Sequence, residues 1–221
     1  MLSRDAEHLY WLTRYVERLE NTARMINVHS ELMLDFPGDK SLGWKPIIKT
    51  MDSEKLFQNK YSEYSEISAV KFLGDDKENE NSIISSLEMA RYNARAIKDD
   101  LPRSATEQLN NLFNEFSGGM SSSSSRRKRA SYIYNVISGT QRFFGIISDN
   151  FSRGYAFEFM RLGRFVERID MNSRIIDSLC INKSNEQTHD FHTLEWVSML
   201  RTLSAHESFR KEIRGEIERG D

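Results

Sequence analysis

Apolar residues recur at helical spacing along most of this 221-residue chain. The first apolar stripe has alternating intervals of three and four residues and comprises Leu9, Leu12, Val16, Leu19, Ala23 and Ile26. This spacing places the side chains on one face of a long helix, from about residue 3 to residue 34. Because a single helix cannot bury such a stripe on its own, we expect partner helices to cover it.

Further helices are predicted over most of the remaining sequence. A second helix begins near Trp44, because Pro46 is tolerated in a first turn. The other predicted spans are about 61–73, 82–100, 102–116, 130–149, 152–182 and 192–204. No convincing strand pattern is present, and three prolines and eleven glycines are too few for the turns of an all-β fold. The prediction is therefore an all-α bundle of long antiparallel helices.

Residues 117–129 interrupt the helical pattern. They contain two glycines, a serine run and then the basic run Arg126, Arg127, Lys128 and Arg129. This composition predicts a mobile loop or linker between a first half at 1–116 and a connecting helix with a second half at 130–221. The basic run could contact RNA or acidic lipid, but a formal net charge of −2 favours a solvated linker.

The two halves share a repeated segment. Residues 12–26 read LTRYVERLENTARMI and residues 162–176 read LGRFVERIDMNSRII, a gapless match at an offset of 150. A second match follows at an offset of 152, where Trp44, Thr50 and Phe57 correspond to Trp196, Thr202 and Phe209. We interpret the chain as an internal duplication. The second copy is incomplete, since nothing after Phe209 corresponds to residues 82–104.

An incomplete second copy has consequences for the surface. The sequence is expected to be either a naturally shortened protein or a fragment, and it should expose apolar area that a complete copy would cover. We therefore expect either a homodimer or reduced stability.

The repeated segments carry the same charged residues. The candidate binding residues in the first copy are Arg14, Glu17, Arg18, Asn21 and Arg24, and those in the second are Arg164, Glu167, Arg168 and Arg174. One hypothesis is a pair of related Arg/Glu faces that line one pocket, since guanidinium groups suit a carboxylate or phosphate. The alternative is a set of solvent-facing or interhelix salt bridges, which are common structural features.

A second concentration of polar residues lies in the middle of the chain. Its candidate binding residues are Arg91, Arg95 and Arg103. The alternative is a solvated helix face, which we favour because charged stripes on helices usually face water.

Composition and motifs narrow the function classes. Near-balanced charge, with a pI of about 6.3, gives no reason to expect nucleic acid as the main partner. The sequence has no apolar segment of membrane-spanning length and no signal peptide, and its single cysteine fits a reducing compartment, so we predict a cytoplasmic protein. His189 and His192 lack further ligands at suitable spacing, so no metal site is predicted. No nucleotide-binding or triad motif is present, and we predict no cofactor.

Three segments, in order along the chain, read MLSRDAEHLYWLTRYVERLENTARMI, SLEMARYNARAIKDDLPRS and FEFMRLGRFVERIDMNSRII. These segments resemble the bacterial alpha-E domain family. The resemblance implies an all-helical fold. It also implies two partners, a circularly permuted ATP-grasp protein and a transglutaminase-like peptidase, because family members are typically encoded beside them. The family has been predicted to act in ATP-dependent amide-bond formation or peptide modification, and no proven catalytic residues carry over.

Three functional hypotheses follow. The leading one is a helical partner subunit of an ATP-grasp-type peptide or amide ligase system, which binds the ligase or its peptide substrate through the repeated Arg/Glu faces. The second is an enzyme that uses Glu17 and Glu167 as acid/base groups beside arginines, which requires both in one concave pocket. The third is a purely structural helical interaction module.

Overall fold

A computed structural model of the protein describes residues 2–35, 43–117, 125–181 and 189–213, except for the side chains of residues 179–181 and 189–192. All described regular structure is helical. The helices are α1 (Ser3–Asp35), α2 (Lys45–Thr50), α3 (Glu54–Lys60), α4 (Glu66–Gly74), α5 (Ile83–Ala96), α6 (Arg103–Ser117), α7 (Arg126–Asn150), α8 (Tyr155–Ile181), α9 (His189–Thr202) and α10 (His206–Glu212). The predicted all-α fold is confirmed.

Local sequence explains several helix ends. Trp44 is the N-cap of α2, and Pro46 lies in the first turn as predicted. Ser82 caps α5, because its side chain accepts a hydrogen bond from the Ser85 amide at 3.1 Å. The predicted helix over 61–73 was too long, because Ser65 caps α4 and the helix begins only at Glu66.

The loop prediction differs from the structure at its carboxyl-terminal side. α7 begins at Arg126, so the basic run forms its first turn. Arg126 donates to the Ser30 carbonyl at 2.9 Å and forms an ion pair with Glu66 at 3.5 Å, and Arg129 donates to Glu66 at 2.8 Å. Residues 118–124 lie outside the described residues.

α1 is the central helix of the bundle. It packs antiparallel to α5, since His8 near the start of α1 contacts Asn93 near the end of α5, while Thr22 contacts Asn81 at the start of α5. It also packs antiparallel to α7, because Ser30 near its carboxyl end meets Arg126 at the amino end of α7.

The α1–α8 pair departs from the antiparallel arrangement. Thr13 contacts Met160, and Met25 lines the same cavity as Ile175, so both contacts join residues about 150 positions apart. A near-constant difference in residue number along two helices means that they run in the same direction. The two repeated segments therefore lie side by side, parallel and in register.

A close backbone approach fixes this helix pair. At Gly163, a Cβ atom would lie 2.2 Å from the Tyr10 carbonyl oxygen and 2.5 Å from Thr13 Oγ1. Thr13 Oγ1 in turn donates to the Met160 carbonyl at 2.8 Å. Only glycine permits this approach, because any side chain at position 163 would meet backbone atoms of α1.

The core is continuous across both predicted halves. The six residues of the first apolar stripe are all buried, as predicted, and they belong to one cluster with residues of α5, α7 and α8. Phe57, Phe72 and Phe143 are among its largest fully buried side chains. Because one core spans 1–116 and 130–221, the two halves are packed as one unit.

Candidate functional site

The repeated charges of α1 and α8 meet each other across the parallel helix pair. We call this set the Arg/Glu cluster, and it comprises Arg14, Glu17 and Arg18 of α1 with Arg164, Glu167 and Arg168 of α8. Both glutamates are only 1% exposed. These six residues therefore form salt bridges between the two helices, which is the arrangement that the alternative interpretation expected.

Glu167 accepts hydrogen bonds from both arginines of α1. Arg14 Nε lies 2.7 Å from its Oε2 atom, while Arg18 Nε lies 2.6 Å from its Oε1 atom. A third bond of 3.0 Å joins Arg18 Nη2 to Oε2. Guanidinium groups therefore donate hydrogen bonds to both oxygens of this buried carboxylate. Such charge-assisted bonds are stronger than those from neutral donors.

Glu17 is held in the reciprocal way by α8. Arg164 Nε donates to its Oε2 atom at 3.1 Å, and Arg168 Nε donates to its Oε1 atom at 2.6 Å. Each of the two Nε bonds to Glu167 has a counterpart shifted by 150 residues at Glu17, whereas the third bond, from Arg18 Nη2, has none among the described contacts. The pairing thus follows the sequence repeat residue by residue, as an approximate two-fold axis between the helices requires.

Aromatic rings support the arginines. The guanidinium of Arg14 lies over the rings of Tyr10 and Trp11, and that of Arg164 lies 3.7 Å from the ring centre of Phe144 on α7. For the pKa of Arg14, burial acts downward, but hydrogen bonds to Glu167 and Tyr10 outweigh it and raise the pKa above its ordinary value. Arg14 is therefore a fixed cation.

The cluster has more cations than anions. Four guanidinium groups surround two carboxylates, so the formal charge is two positive units, and all four arginines keep some solvent exposure. Chemically, the arrangement can hold two helices in register and present a positive edge to an acidic group. Glu17 and Glu167 are each 1% exposed and bonded to two arginines, a geometry that does not favour acid/base catalysis by either carboxylate.

The remaining residues of the charged stripe have separate positions. Arg24 pairs with Glu20 within α1, and Arg174 pairs with Asp170 within α8 at 3.3 Å. Asn21 is partly buried, and its Nδ2 atom has no hydrogen-bond partner in the part of the chain that the structure describes. None of these contacts extends the paired network across the two helices.

Glu20 was absent from the candidate residues. It is buried, one of its carboxylate oxygens accepts from Arg24, and the other has no hydrogen-bond partner among the described residues. The available signal was its repeat counterpart Asp170, which preserves the acidic charge four residues before an arginine in both copies.

The three mid-chain arginines are not brought into the Arg/Glu cluster by any contact in the described structure. Arg91 donates to Asn110 on α6 at 2.9 Å and lies 3.8 Å from the ring centre of Phe113. Burial, followed by repulsion from Arg95, lowers the pKa of Arg91 below its ordinary value. Arg103 is exposed and pairs with Glu107 one turn later. These contacts agree with the solvated-face alternative for Arg103, and with a structural role for Arg91 in joining α5 to α6.

Three cavities lie elsewhere in the described structure. One of about 100 Å³ is bordered by His29, Ile175 and Met199, and one of about 450 Å³ by Glu66 and Arg126. A third, of about 730 Å³, lies beside α8's amino end. None of these three cavities is lined by the Arg/Glu cluster. None of them is therefore the pocket that was expected between the two charged faces.

His29 is the described histidine with the most perturbed titration. Its Nε2 atom donates to the Gly43 carbonyl at 2.8 Å, and its ring packs edge-on against Trp44. Burial lowers the pKa of His29 to about 4, although the bond to Gly43 acts in the opposite direction. The ring is therefore neutral at physiological pH and belongs to the core.

Two further properties concern the described residues only. No group of three or more His, Cys, Asp or Glu residues is arranged to hold a metal ion there. None of the helices in these ranges combines the length and apolar character that crossing a membrane requires. The side chains of Cys180, His189 and His192 lie outside the described residues.

Comparison with known proteins identifies the family. The chain matches the Alpha-E family, described as a predicted alpha-helical domain with a conserved ER motif, over residues 1–221. The chain therefore belongs to the Alpha-E family. Two Glu-Arg dipeptides, Glu17-Arg18 and Glu167-Arg168, lie in the Arg/Glu cluster. No curated protein and no solved structure matches the chain.

Proposed function

We propose that this Alpha-E protein is a helical partner subunit of an ATP-grasp-type amide ligase system. It binds the ligase or its peptide substrate through the exposed edges of the Arg/Glu cluster. The observation that carries the proposal is the excess of guanidinium groups over carboxylates at a rigid junction of two helices. The resemblance of the chain to proteins encoded beside ATP-grasp enzymes supplies the class of partner.

The positive edge is suited to an acidic group on a partner. Arg164 and Arg168 each use Nε for Glu17, which leaves their terminal nitrogen atoms available for further hydrogen bonds. Arg168 has a side chain that is 40% exposed. A guanidinium that is already oriented by one carboxylate loses less side-chain entropy when it binds a second acceptor, which favours recognition.

A purely structural role is the second candidate. It is favoured by the complete engagement of Glu17 and Glu167, whose carboxylates join the two halves of the chain. In that case the arginines contribute only to the stability of the bundle, and their replacement alters unfolding without altering any binding.

The proposal is tested by measuring the affinity of the chain for an ATP-grasp protein that is encoded beside its gene. The variant Arg168→Gln removes the most exposed charge of the cluster while Arg164 continues to neutralise Glu17. Arg103→Gln is the matched control, because it removes an exposed arginine on α6 that lies outside the cluster. We expect at least a tenfold loss of affinity for Arg168→Gln, an unchanged value for Arg103→Gln, and weaker binding at higher salt.

The outcomes separate the candidates. Binding that is equal in both variants excludes the cluster edge from the interface. An absence of binding by the wild-type chain, to both the ATP-grasp protein and the peptidase, contradicts the partnership. If Arg168→Gln lowers the unfolding free energy and changes no interaction, the structural role is correct.

A further inference from the structure

α8 presents a continuous apolar stripe to solvent. Leu162, Phe165, Ile169 and Ile176 are 51%, 44%, 65% and 46% exposed, and they are spaced by three, four and seven residues. We call these four residues the open face of α8. They share one side of the helix and extend over about 21 Å at 1.5 Å per residue. Exposed apolar surface of this extent and regularity marks an interaction site.

Three of the four equivalent positions of α1 are buried, and the fourth, Tyr15, is partly buried. Leu12, Leu19 and Ile26 occupy the same places in the repeat as Leu162, Ile169 and Ile176, and each is at most 2% exposed. The side chains are of the same kind in both helices, so the sequence does not cause the difference. The difference lies in what covers them.

α5 covers this side of α1. His8 contacts Asn93 of α5 at 2.9 Å, and Thr22 donates at 3.4 Å to the carbonyl of Asn81, which precedes the N-cap of α5. His8 and Thr22 lie on the same stripe as Leu12, Leu19 and Ile26, since successive intervals are four, seven, three and four residues. The α1–α5 interface thus shows how a helix is held on a face with this pattern.

We infer that the open face of α8 is a docking site for one amphipathic helix with the apolar pattern of α5, antiparallel to α8. None of the described residues provides that helix. When the approximate two-fold axis that relates α1 to α8 is applied to α5, the α5 helix is placed on the open face of α8. This position defines the orientation of the occupant relative to α8 and the positions of its apolar residues. The inference does not depend on the proposed ligase partnership.

The charge at one end of the site specifies the occupant further. Where α1 has His8, α8 has Glu158, a mostly exposed carboxylate that pairs with Arg161 of the same helix at 3.0 Å. An antiparallel occupant brings its carboxyl-terminal turn to this point. Because a carboxylate is unfavourable at the negative end of a helix dipole, and Arg161 offsets only part of its charge, a lysine or arginine in that turn of the occupant is favoured. α5 itself satisfies this preference with Arg95.

A second copy of the chain fits the open face less well. Two-fold pairing of two α8 helices around Ile169 brings the neighbouring Arg168 of each copy towards the other. Glu17 already neutralises Arg168 in its own copy, but its exposed guanidinium would meet a like charge. The occupant we assign is therefore a separate amphipathic helix.

The chain supplies a probe for this site. A fluorescently labelled peptide of residues 81–101, NSIISSLEMARYNARAIKDDL, carries the whole of α5 and its N-cap. We expect the wild-type protein to bind it and the Ile169→Glu variant to bind at least tenfold more weakly, measured by fluorescence anisotropy. Ile67→Glu is the matched control, because Ile67 on α4 is 70% exposed and the same substitution there should leave binding unchanged.

A second variant assigns the peptide to the correct site. Leu87→Glu in the peptide changes a residue that is fully buried in α5, and it should also weaken binding at least tenfold. If the peptide displaced the α5 already packed on α1, Ile169→Glu would have no effect. Circular dichroism checks that both protein variants are folded, which we expect because both substitutions are at exposed positions.

Light scattering on the protein without peptide tests whether a second copy of the chain occupies the open face instead. A homodimer that Ile169→Glu converts to a monomer would assign the open face to a second copy and overturn the inference. Equal binding by wild type and Ile169→Glu, or no binding of the peptide to a monomeric wild-type chain, would also overturn it.

Discussion

α1 and α8 have nearly the same sequence pattern and very different surroundings. Leu12 and Leu162 are identical residues at equivalent positions, yet the first is fully buried and the second is half exposed. α1 lies between α5, α7 and α8, whereas the described part of α8 is covered mainly on the side of α1. The comparison shows that an apolar stripe indicates which face of a helix can be buried. Whether that face is buried depends on the neighbouring helices.

The charged face behaves in the opposite way. Glu17 and Glu167 are equally buried, because each helix supplies the partners of the other. Only the outer ends of the network differ: the side chains of Arg14 and Arg18 are 16% and 17% exposed, while those of Arg164 and Arg168 are 31% and 40% exposed. The charged contacts thus preserve the two-fold relation that the apolar contacts do not.

The largest expected effect tests the difference in burial directly. Leu12→Ala should lower the free energy of unfolding by about 3–5 kcal/mol, because it opens a cavity in the centre of the core. Leu162→Ala should change it by less than about 0.5 kcal/mol, because this side chain already contacts solvent. Denaturant unfolding of both variants gives the two values. Similar losses would mean that the open face is covered in solution.

The next effect concerns the unequal ends of the charge network. Glu167→Gln removes the charge that neutralises the two less exposed arginines, so it should cost about 2–3 kcal/mol. Glu17→Gln should cost about 1–2 kcal/mol, since water can solvate Arg164 and Arg168 more readily. Glu158→Gln, on the exposed surface of α8, is the control and should have almost no effect. A larger loss for Glu17→Gln would contradict this ranking.

Much of the fold could be predicted from spacing. The stripe from Leu9 to Ile26 identified the buried face of α1, and the match between residues 12–26 and 162–176 identified the segments that bear the Arg/Glu cluster. These signals are local, since they depend only on the period of a helix. The interpretation of the repeat as an internal duplication stays an inference from the sequence.

The partners of the charged residues could not be predicted in the same way. Spacing shows that Arg14, Glu17 and Arg18 share a region of α1, but a pairing with α8 depends on two helices that lie about 150 residues apart and run parallel. Gly163 contained a clue, because glycine inside a helix is unfavourable unless another backbone approaches it. Its repeat counterpart Thr13 lies at the same contact.

A smaller effect tests whether that contact sets the parallel packing. Gly163→Ala adds a methyl group against the Tyr10 carbonyl, so α1 and α8 must separate, at a cost of about 2 kcal/mol despite the better helix propensity of alanine. Gly145→Ala in α7 is a matched control, because no atom lies within 4 Å of the added group. It should stabilise the protein by about 0.5–1 kcal/mol. Thermal unfolding of the two variants should therefore shift in opposite directions.

The smallest effect concerns His29, which lies on the buried face of α1. Its pKa is about 4 in the folded protein and near 6.5 in the unfolded chain, so the unfolded chain binds a proton first as the pH falls. The contribution to stability is thus fully present above about pH 7 and declines between there and pH 4, by about 2 kcal/mol at pH 5.

The His29→Gln variant keeps a donor for the Gly43 carbonyl and removes the titrating ring. Its unfolding free energy should fall less than that of the wild type between pH 7 and pH 5, by a difference of about 1–2 kcal/mol. If the unfolding free energy of His29→Gln falls as steeply as that of the wild type between pH 7 and pH 5, proton uptake at His29 does not cause the loss. The ring of His29 would then be hydrated in solution, as the open face of α8 is.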